Sequence, residues 1–373
     1  MGDEAGSDFL PVYAPMLDGR EEDYVVDCVR TGWISSQGAY VRRFEEGFAA
    51  WCGARHGVAV VNCTAALHLA LLALGIGPGD EVIIPDFTLI ASANTTLLAG
   101  ATPVAVDVEE DTWCLDPKKV AAAIGPRTRA IMAVHMYGHP ADLRALRALC
   151  AEHDLRLIVD AAQAHGVEID GERAGALGDV TCYSFYANKV LTTGEGGMVL
   201  TDDDALAERV RLLRNQAFRE PRFFHTERGF NYRLTNLQAA VGVAQLERAD
   251  AIVAAKRDLA ARYLPRLARI EGLQLPVERP WAKSVYWMIG VVLGPEHPPR
   301  DEVRARLQAR GIGTRAFFHP MSAQPALEGS LRVPAQAPVS TRIGARGLYL
   351  PSSPGLGEGE VERVVAALEE ALR

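Results

Sequence analysis

Lysine is scarce in this chain of 373 residues, because only five of its 39 basic residues are lysines. Uninterrupted apolar runs of the length that a membrane-spanning helix needs are missing too, so the sequence predicts no membrane partner. The net charge is −8, and no basic stripe offsets it. Nucleic acids and anionic membrane surfaces therefore make poor candidate partners.

Paired cysteines are also missing. None of the six cysteines forms a CxxC pair, and their spacing fits no metal-ligand pattern. We therefore expect no metal site and interpret the cysteines as buried thiols of a cytosolic protein. The acidic, polar start of the chain, MGDEAGSDF, does not resemble a signal peptide, which also predicts a cytoplasmic location. The cysteines are Cys28, Cys52, Cys63, Cys114, Cys150 and Cys182.

Short apolar runs alternate with helical patterns between about residues 55 and 200. This alternation predicts an α/β fold with a mostly parallel sheet that is covered by helices on both faces. In such sheets the functional residues gather at the carboxyl ends of the strands. The predicted strands lie at 58–61, 81–84, 102–108, 129–134 and 155–160.

The pattern changes in the last third of the chain, where prolines cluster and the strand-like pieces become shorter. We expect a large domain over residues 1–250 and a smaller α+β domain over residues 251–373. The smaller domain is predicted to end in a helix at about 358–372.

Lys189 occupies an unusual position for a chain that prefers arginine. It follows the strand-like VTCYSF and precedes a run of threonine and glycine, TTGEGG, whose small side chains would let a cofactor approach the backbone. A lysine here can lose its charge and attack a carbonyl carbon to form an imine, which a permanently protonated guanidinium cannot do. The alternative is a solvated loop lysine.

Two further strand ends carry polar groups. Asp160 ends the apolar run LRLIVD, where it can pair with a buried cation or simply cap the next helix. Asn62, Cys63 and Thr64 lie between a strand and a helix, where free N–H groups and a hydroxyl favour phosphate, although simple capping is again the alternative. Ser184 can add a second hydroxyl.

Taken together, these groups match one cofactor. A phosphate site, a carboxylate for a ring nitrogen, a serine and an imine-forming lysine follow one another along the chain. This set is what pyridoxal 5′-phosphate requires.

From about residue 20 to its end, the chain resembles the sugar aminotransferases of the DegT/StrS family. These enzymes depend on pyridoxal 5′-phosphate and have the aspartate aminotransferase fold, known as fold type I. The resemblance implies this fold and an aminotransferase activity. It is carried by TGWISSQG, TAALHLALLALGIGPGDEVIIP, GATPVAVDV, HMYGHPADL, IVDAAQAHG, SFYANKVLTTGEGGMV and GFNYRLTNLQAAVGVAQLE.

The resemblance also implies roles for single residues. Lys189 would form the imine with the cofactor and move the catalytic proton, and Asp160 would pair with the pyridinium nitrogen. The phosphate would be held by Thr64, the backbone at Cys63 and Ser184, while Gln163 would lie beside the ring and its phenolic oxygen.

One implied role belongs to a second subunit. Asn231 of GFNYR resembles the asparagine that reaches the phosphate in the neighbouring subunit. The resemblance therefore implies a homodimer with shared active sites.

Two positions depart from the family pattern. Cys63 replaces the usual glycine of the phosphate turn, which would strain the backbone if the turn requires positive φ. Leu89 stands where the family usually has an aromatic residue stacked on the cofactor ring, and Phe87 is a candidate replacement for that stack.

The substrate is predicted from short sequence segments near the predicted site. SFYANKVLTTGEGG and GIGTRAFFHPM look more like the GDP-perosamine synthase branch than the branches that make 3-amino sugars, which often have Asp where Glu195 stands. This implies a nucleotide-linked 4-keto-6-deoxyhexose, aminated at C4 with L-glutamate as the probable donor. The candidate substrate residues are Trp33, Ser35, Glu195 and His319.

Several other functions are compatible with the same motifs. The substrate can be a keto-cyclitol or a 3-keto sugar. A sugar dehydratase is disfavoured, since relatives with that activity carry histidine in place of Lys189. A non-catalytic regulator is disfavoured by the presence of Lys189, Asp160 and Ser184.

Overall fold

The computed structural model describes residues 8–221 and 223–373, so the first seven residues of the predicted large domain lie outside the described part. The longer helices are α1 (Glu21–Thr31), α2 (Ala39–Cys52), α3 (Cys63–Ala73), α4 (Ala91–Leu98), α5 (Pro117–Ala123), α6 (Leu143–His153), α7 (Asp204–Arg214), α8 (Asn236–Glu247), α9 (Ala249–Leu267), α10 (Arg300–Gln308), α11 (Pro338–Arg346) and α12 (Glu358–Ala371). Short 3-10 helices span Met136–Gly138, Ala174–Ala176, Met321–Ala323 and Pro325–Leu327. The strands are β1 (His56–Val60), β2 (Glu81–Pro85), β3 (Thr102–Val106), β4 (Thr128–Val134), β5 (Arg156–Asp160), β6 (Glu168–Ile169), β7 (Glu172–Arg173), β8 (Val180–Ser184), β9 (Gly197–Thr201), β10 (Leu273–Gln274), β11 (Ala282–Lys283), β12 (Ile289–Leu293), β13 (Arg315–Ala316) and β14 (Gly347–Leu350).

A seven-stranded sheet forms the centre of the molecule, in the order β1-β9-β8-β5-β4-β2-β3. Strands β3, β2, β4, β5 and β8 run parallel to one another, whereas β9 runs antiparallel to both β8 and β1. The predicted mostly parallel sheet is confirmed. Because β1 and β8 both pair antiparallel with β9, the carboxyl end of β1 lies at the same edge as those of β5 and β8.

Side chains alternate between two hydrophobic clusters along the buried strands. In β5, Leu157 and Val159 face one cluster and Ile158 faces the other. The first cluster packs against α2, α5, α6 and α8, and the second against α3 and α7. The continuous apolar runs of the sequence therefore correspond to strands that are buried on both faces.

A second, antiparallel sheet lies in the last part of the chain, in the order β10-β12-β14-β13. It shares a third hydrophobic cluster with α9, α10 and α12. Leu10 belongs to this cluster and pairs with Ile312 in an isolated bridge, so the start of the described chain packs against this sheet. In residues 8–221 and 223–373 no helix combines the length and apolar character needed to cross a bilayer.

Two aspartates join the two sheets. Asp86 follows β2 and accepts hydrogen bonds from the backbone N–H of Ser322 (2.7 Å) and from its hydroxyl (3.0 Å). Asp107 follows β3 and accepts from the N–H groups of Val339 (3.1 Å) and Ser340 (2.9 Å) and from the Ser340 hydroxyl (2.7 Å). Burial raises the pKa of the Asp86 carboxyl, although the bonds from Ser322 oppose the shift. These carboxylates hold the 3-10 helix Met321–Ala323 and the start of α11 against the strand ends of the central sheet.

Replacing Asp107 with asparagine tests this connection. Both carboxylate oxygens accept a backbone N–H, so Asp107→Asn would turn an NH2 group toward one of two buried donors. We expect the free energy of unfolding to fall by about 1–3 kcal/mol, measured by urea denaturation. In Asp116→Asn, which changes the surface N-cap of α5, the value is expected to stay within about 0.5 kcal/mol because asparagine caps as well as aspartate. Equal effects of the two substitutions would contradict the role of Asp107.

Candidate functional site

A cleft of about 410 Å³ opens at the carboxyl edge of the central sheet. This volume suits a cofactor or a small substrate. Residues that follow β1, β2, β5 and β8 form one wall, and residues from the second sheet and its loops form the other. From the first wall come Asn62, Cys63, Thr64, Leu67, Thr88, Leu89, Ala91, Asp160, Ala162, Gln163, Ser184, Tyr186, Asn188, Lys189 and Glu195, and from the second come Trp287, Arg315, Phe318 and Tyr349.

Lys189 lies in the turn after β8 and is only 8% exposed. Burial lowers the pKa of its amine to about 8, although the neighbouring Asp160 and Cys63 partly oppose the shift. Its Nζ lies 3.9 Å from the centroid of the Trp287 ring. The amine is therefore neutral in a sizeable fraction of molecules near pH 8, and a neutral amine can act as a nucleophile. The alternative of a solvated loop lysine is wrong.

The sequence led us to expect that the glycines after Lys189 let a cofactor approach the backbone, but the structure shows a different need for small residues. A Cβ on Gly197 would lie 2.5 Å from the carbonyl oxygen of Asn62 and 2.8 Å from the nitrogen of Cys63. Gly194 has φ +77°, which other residues rarely adopt. At position 197, the lack of a side chain makes room for the start of α3 rather than for a cofactor.

Asp160 ends β5 and is buried at the floor of the cleft. Its Oδ1 accepts a hydrogen bond from the N–H of Ala162 (3.0 Å), and the Cys63 sulfur lies 4.0 Å from the same oxygen. Burial raises the pKa of this carboxyl, while the Ala162 N–H and the charge of Lys189 lower it. Within residues 8–221 and 223–373 no cation forms an ion pair with it. A cationic ring nitrogen in the cleft would fill that role.

The start of α3 provides a site for an anion. Asn62 is the N-cap, and its side chain accepts from the N–H of Ala65 (2.8 Å). The N–H groups of Cys63 and Thr64 lie in the first helical turn, where no intrahelical acceptor exists. Thr64 and Ser184 add hydroxyls at the same end of the cleft. Phosphate is a ligand that such a helix start favours.

Cys63 does not strain the backbone, because the positive φ that would have caused strain is absent. It is the first residue of α3 and does not have positive φ. Its side chain is buried between the helix and Asp160, so the thiol is an additional group on the cleft floor.

Gln163 and Leu89 also line the cleft. Gln163 is buried, and its Oε1 accepts from the N–H of Tyr137 (2.7 Å), a residue with φ +50°. Leu89 is 48% exposed at the mouth. Phe87 does not replace the missing aromatic residue, because it is fully buried against Tyr137 and Phe317 and lies outside the cleft lining.

Only one of the four predicted substrate residues lines the cleft. Glu195 is exposed there, and its backbone oxygen accepts from the Gln238 side chain (2.7 Å). Trp33 and Ser35 lie on an exposed loop after α1, where their carbonyl oxygens accept from the side chain and the backbone of Asn236 (2.7 and 2.6 Å). His319 is exposed and is not part of the lining.

Asn231 also lies outside the cleft of its own chain. It is exposed, and its Oδ1 accepts from the Nε (2.9 Å) and Nη2 (2.7 Å) of Arg233. An exposed side chain outside its own cleft is compatible with a function in a second subunit. Its predicted contact with a neighbouring phosphate stays a prediction.

The sequence analysis missed the wall formed by the second sheet. Trp287 lies two residues before the start of β12, Arg315 lies in β13 and Tyr349 in β14. Arg315 lies within the motif GIGTRAFFHPM, of which only His319 was predicted to be a substrate residue. Thr88 was also missed, although it follows β2 just as Asp160 ends β5. A search for polar residues after every predicted strand would have found it.

These residues fit pyridoxal 5′-phosphate. The helix start with Thr64 and Ser184 suits its phosphate, Asp160 suits its ring nitrogen and Lys189 suits its aldehyde. The Thr88 hydroxyl and the Asn188 amide oxygen line the same cleft, are buried, and have no hydrogen-bond partner within the described residues. Buried polar atoms without partners are rare, so these two are available to a bound molecule. No cluster of three or more potential metal ligands occurs in the described ranges.

Comparisons with known proteins agree with this chemistry. The model of the DegT/DnrJ/EryC1/StrS aminotransferase family matches residues 15–369. The GDP-perosamine synthase of Caulobacter vibrioides is 46% identical over 367 residues, covering 97% of this chain and 98% of the relative. The dTDP-3-amino-3,4,6-trideoxy-alpha-D-glucose transaminase of Streptomyces venezuelae is 43% identical over 335 residues, covering 89% and 87%.

A solved structure extends the similarity to the fold. DesV of S. venezuelae, solved in complex with a ketimine intermediate, superposes with a TM-score of 0.89 at 41% identity, covering 95% of each chain. The fold expected from the sequence is therefore confirmed. With the family model matching nearly the whole length, the chain belongs to the DegT/DnrJ/EryC1/StrS aminotransferase family.

Proposed function

We propose that the protein is a pyridoxal 5′-phosphate-dependent aminotransferase that converts a nucleotide-linked keto-deoxysugar into an amino sugar. The substrate is a 4-keto-6-deoxyhexose, the amino donor is L-glutamate, and the enzyme works as a cytoplasmic homodimer. The observation that carries the proposal is the buried amine of Lys189, with its lowered pKa, in one cleft with the buried carboxyl of Asp160.

The residues of the cleft have separate roles in binding the cofactor and in moving protons. When bound, pyridoxal 5′-phosphate supplies an aldehyde that takes up the amino group and a protonated ring that withdraws electrons from the reacting carbon. Lys189 would hold the aldehyde end of the cofactor through its neutral amine, and the freed Nζ would be the group that moves the proton from the donor carbon. Asp160 keeps the ring nitrogen protonated, because a carboxylate buried beside a cation strongly favours the charged pair.

The second wall of the cleft contributes a positive charge and aromatic surface. Arg315 brings a guanidinium to the cleft, where it can bind the carboxylate of glutamate or the diphosphate of a nucleotide. Trp287, Phe318 and Tyr349 add aromatic surface and limit the access of water. This arrangement favours a substrate that carries an anionic group beside an apolar one.

The position of the keto group is argued from the relatives. At 46% identity and nearly full coverage, the GDP-perosamine synthase of C. vibrioides supports a 4-keto-6-deoxyhexose linked to GDP. The 43% identical transaminase of S. venezuelae is named for a 3-amino sugar linked to dTDP, which supports a 3-keto sugar as the second candidate. The two candidates differ in nucleotide and in the carbon that receives nitrogen, so one assay separates them.

The substrate proposal is tested by incubating the cofactor-loaded enzyme with glutamate and single keto substrates. We expect GDP-4-keto-6-deoxymannose to give an amino sugar whose nitrogen is located at C4 by mass spectrometry and NMR. Lys189→Ala should give no product, whereas Lys283→Ala, which removes a surface lysine paired with Glu168, should keep wild-type turnover. The other arms contain dTDP-4-keto-6-deoxyglucose, a dTDP-3-keto sugar and a keto-cyclitol. Turnover of only a cyclitol or a 3-keto sugar would contradict the substrate, and turnover by Lys189→Ala would contradict the mechanism.

Asp160→Asn tests the role of the buried carboxylate. A neutral amide still accepts the Ala162 N–H but does not keep a ring nitrogen protonated, so we expect the half-reaction with glutamate to slow by about 10²–10³-fold. The measurement is single-turnover absorbance. The control is Asp142→Asn, because Asp142 caps α6 by accepting the N–H of Ala145 (3.0 Å) outside the cleft. If both variants keep near-normal rates, Asp160 is only a cap.

Shared active sites are tested with mixed dimers. Lys189→Ala and Asn231→Asp chains should each be inactive alone, and subunit exchange should restore about a quarter of wild-type activity, because half of the dimers then contain one intact site. The matched control mixes Lys189→Ala with Asp160→Asn. Each of these substitutions damages the cleft of the chain that carries it, so a mixed dimer has no intact site. Activity of Asn231→Asp alone, or no recovery despite proven exchange, would show that Asn231 does not act across the dimer.

A further inference from the structure

The turn that carries Lys189 is held by groups outside the central sheet. We call residues 186–189 the lysine turn. Within it, the N–H of Lys189 donates to the carbonyl oxygen of Tyr186 (2.8 Å). That single backbone bond leaves the carbonyl oxygens of Asn188 and Lys189 facing away from the turn, and both accept from side chains that are distant in sequence.

Two ring donors bind these consecutive carbonyls. The indole Nε1 of Trp287 donates to the carbonyl oxygen of Asn188 (2.6 Å), and the hydroxyl of Tyr13 donates to that of Lys189 (2.9 Å). The Trp287 ring also lies 3.9 Å from the Lys189 Nζ. Trp287 therefore contacts the backbone of the turn and the amine at its end.

Tyr13 belongs structurally to the second sheet, although it lies near the start of the chain. We call residues 10–14 the N-terminal segment. Its Leu10 exchanges two backbone hydrogen bonds with Gly311 and Gly313 (both 2.8 Å), and its Val12 accepts from the N–H of Ser352 (2.8 Å). The segment is thus attached to the loops before β13 and after β14.

A buried lysine supports the same attachment. Lys256 of α9 is completely buried, donates to the carbonyl oxygen of Ser352 and has its Nζ 5.4 Å from the centroid of the Tyr13 ring. The N–H of Ala14 donates to the Ser353 hydroxyl (2.7 Å). The phenol of Tyr13 therefore approaches the lysine turn from a rigid position.

From these contacts we infer that Tyr13 and Trp287 are positioning residues for Lys189. Each fixes one carbonyl of the lysine turn, and both belong to the body formed by the second sheet and the N-terminal segment. The placement of the reacting amine is therefore set by how that body lies against the central sheet. The inference rests on the proposed function only in taking Lys189 as the amine that reacts.

The variants for the test remove one donor each. Tyr13→Phe deletes the hydroxyl, and Trp287→Phe deletes the indole N–H while keeping an aromatic ring. The matched controls lose the same kind of bond elsewhere. Tyr24→Phe removes a phenol bond to Glu247 (2.7 Å), and Trp51→Phe removes an indole bond to Asp250 (3.0 Å).

The first measurement uses the enzyme without cofactor. A small amine-acylating reagent can enter the cleft without cofactor, and its rate with Lys189 depends on how freely the amine turns to meet it. Losing one hydrogen bond that holds the lysine turn should raise that rate about two- to tenfold. With only five lysines in the chain, peptide mass spectrometry follows Lys189 separately. We expect faster labelling of Lys189 in Tyr13→Phe and Trp287→Phe and an unchanged rate in both controls, with similar thermal midpoints.

The second measurement uses the cofactor-loaded enzyme. In Tyr13→Phe and Trp287→Phe, the single-turnover rate with glutamate should fall about two- to tenfold while the half-saturating glutamate concentration stays constant. The pH at which the bound cofactor changes its absorbance should shift in the same variants. A shift of this kind reports the surroundings of Nζ, which a purely structural bond elsewhere would not change.

The outcomes separate the two ideas. If Tyr13→Phe and Trp287→Phe match their controls in labelling, rate and spectrum, the positioning role is wrong and the proposed function is untouched. If Lys189→Ala keeps the cofactor's absorbance band and its turnover, Lys189 is not the reacting amine. A wild-type enzyme that aminates none of the keto substrates would show that the proposed function is wrong. Should Trp287→Phe prove unstable, Tyr13→Phe decides alone, because removing one hydroxyl leaves the packing of the ring unchanged.

Discussion

The burial of one amine constrains most of the architecture around the cleft. Removing a charged lysine from water is costly, and the cost is reduced when the amine is neutral or lies near an acid. Lys189 meets both conditions, since burial lowers its pKa to about 8 while Asp160 lies near enough to oppose the shift. The acid and the amine can meet because β5 and β8 are parallel neighbours, so both strands end at one edge of the sheet.

The second sheet completes the site, and hydrogen bonds to carboxylates and carbonyls define its position. At the ends of β2 and β3, Asp86 and Asp107 accept from a 3-10 helix and from the start of α11, which lie between β13 and β14. Trp287 and Tyr13 donate to the lysine turn from the same side. The cleft is thus a boundary between two bodies that share apolar contacts, such as that of Phe87 with Phe317, as well as these hydrogen bonds. The apolar contacts bury surface, whereas the hydrogen bonds are directional. Such contacts specify distance and orientation, which a purely apolar interface specifies less sharply.

What the sequence predicted well follows from local rules. Asp160, Ser184, Thr64 and Lys189 each lie at or just after a buried strand, and in a parallel sheet that position alone places them at a common edge. The mostly parallel sheet was predicted from the short apolar runs that form these strands.

What the sequence missed depends on contacts between distant segments. Trp287 and Arg315 reach the cleft only because the second sheet docks there, and no local periodicity encodes that docking. Cys63 causes no strain for a local reason, since α3 begins at that residue and the backbone there does not need positive φ. Trp33, Asn231 and His319 lie outside the cleft of their own chain, and their predicted roles stay predictions.

Lys256 shows why a lowered pKa alone does not identify the reacting amine. It is more deeply buried than Lys189, and burial lowers its pKa further, to about 7, because no acid opposes the shift. Yet its Nζ donates to the carbonyl oxygen of Ser352 and lies outside the cleft lining, so no substrate carbon is within its reach. The same desolvation therefore acts on a structural donor, Lys256, and on the amine that we propose as the nucleophile, Lys189. The difference lies in the neighbours, since only Lys189 opens onto a cleft that also holds a buried acid and a helix start suited to phosphate.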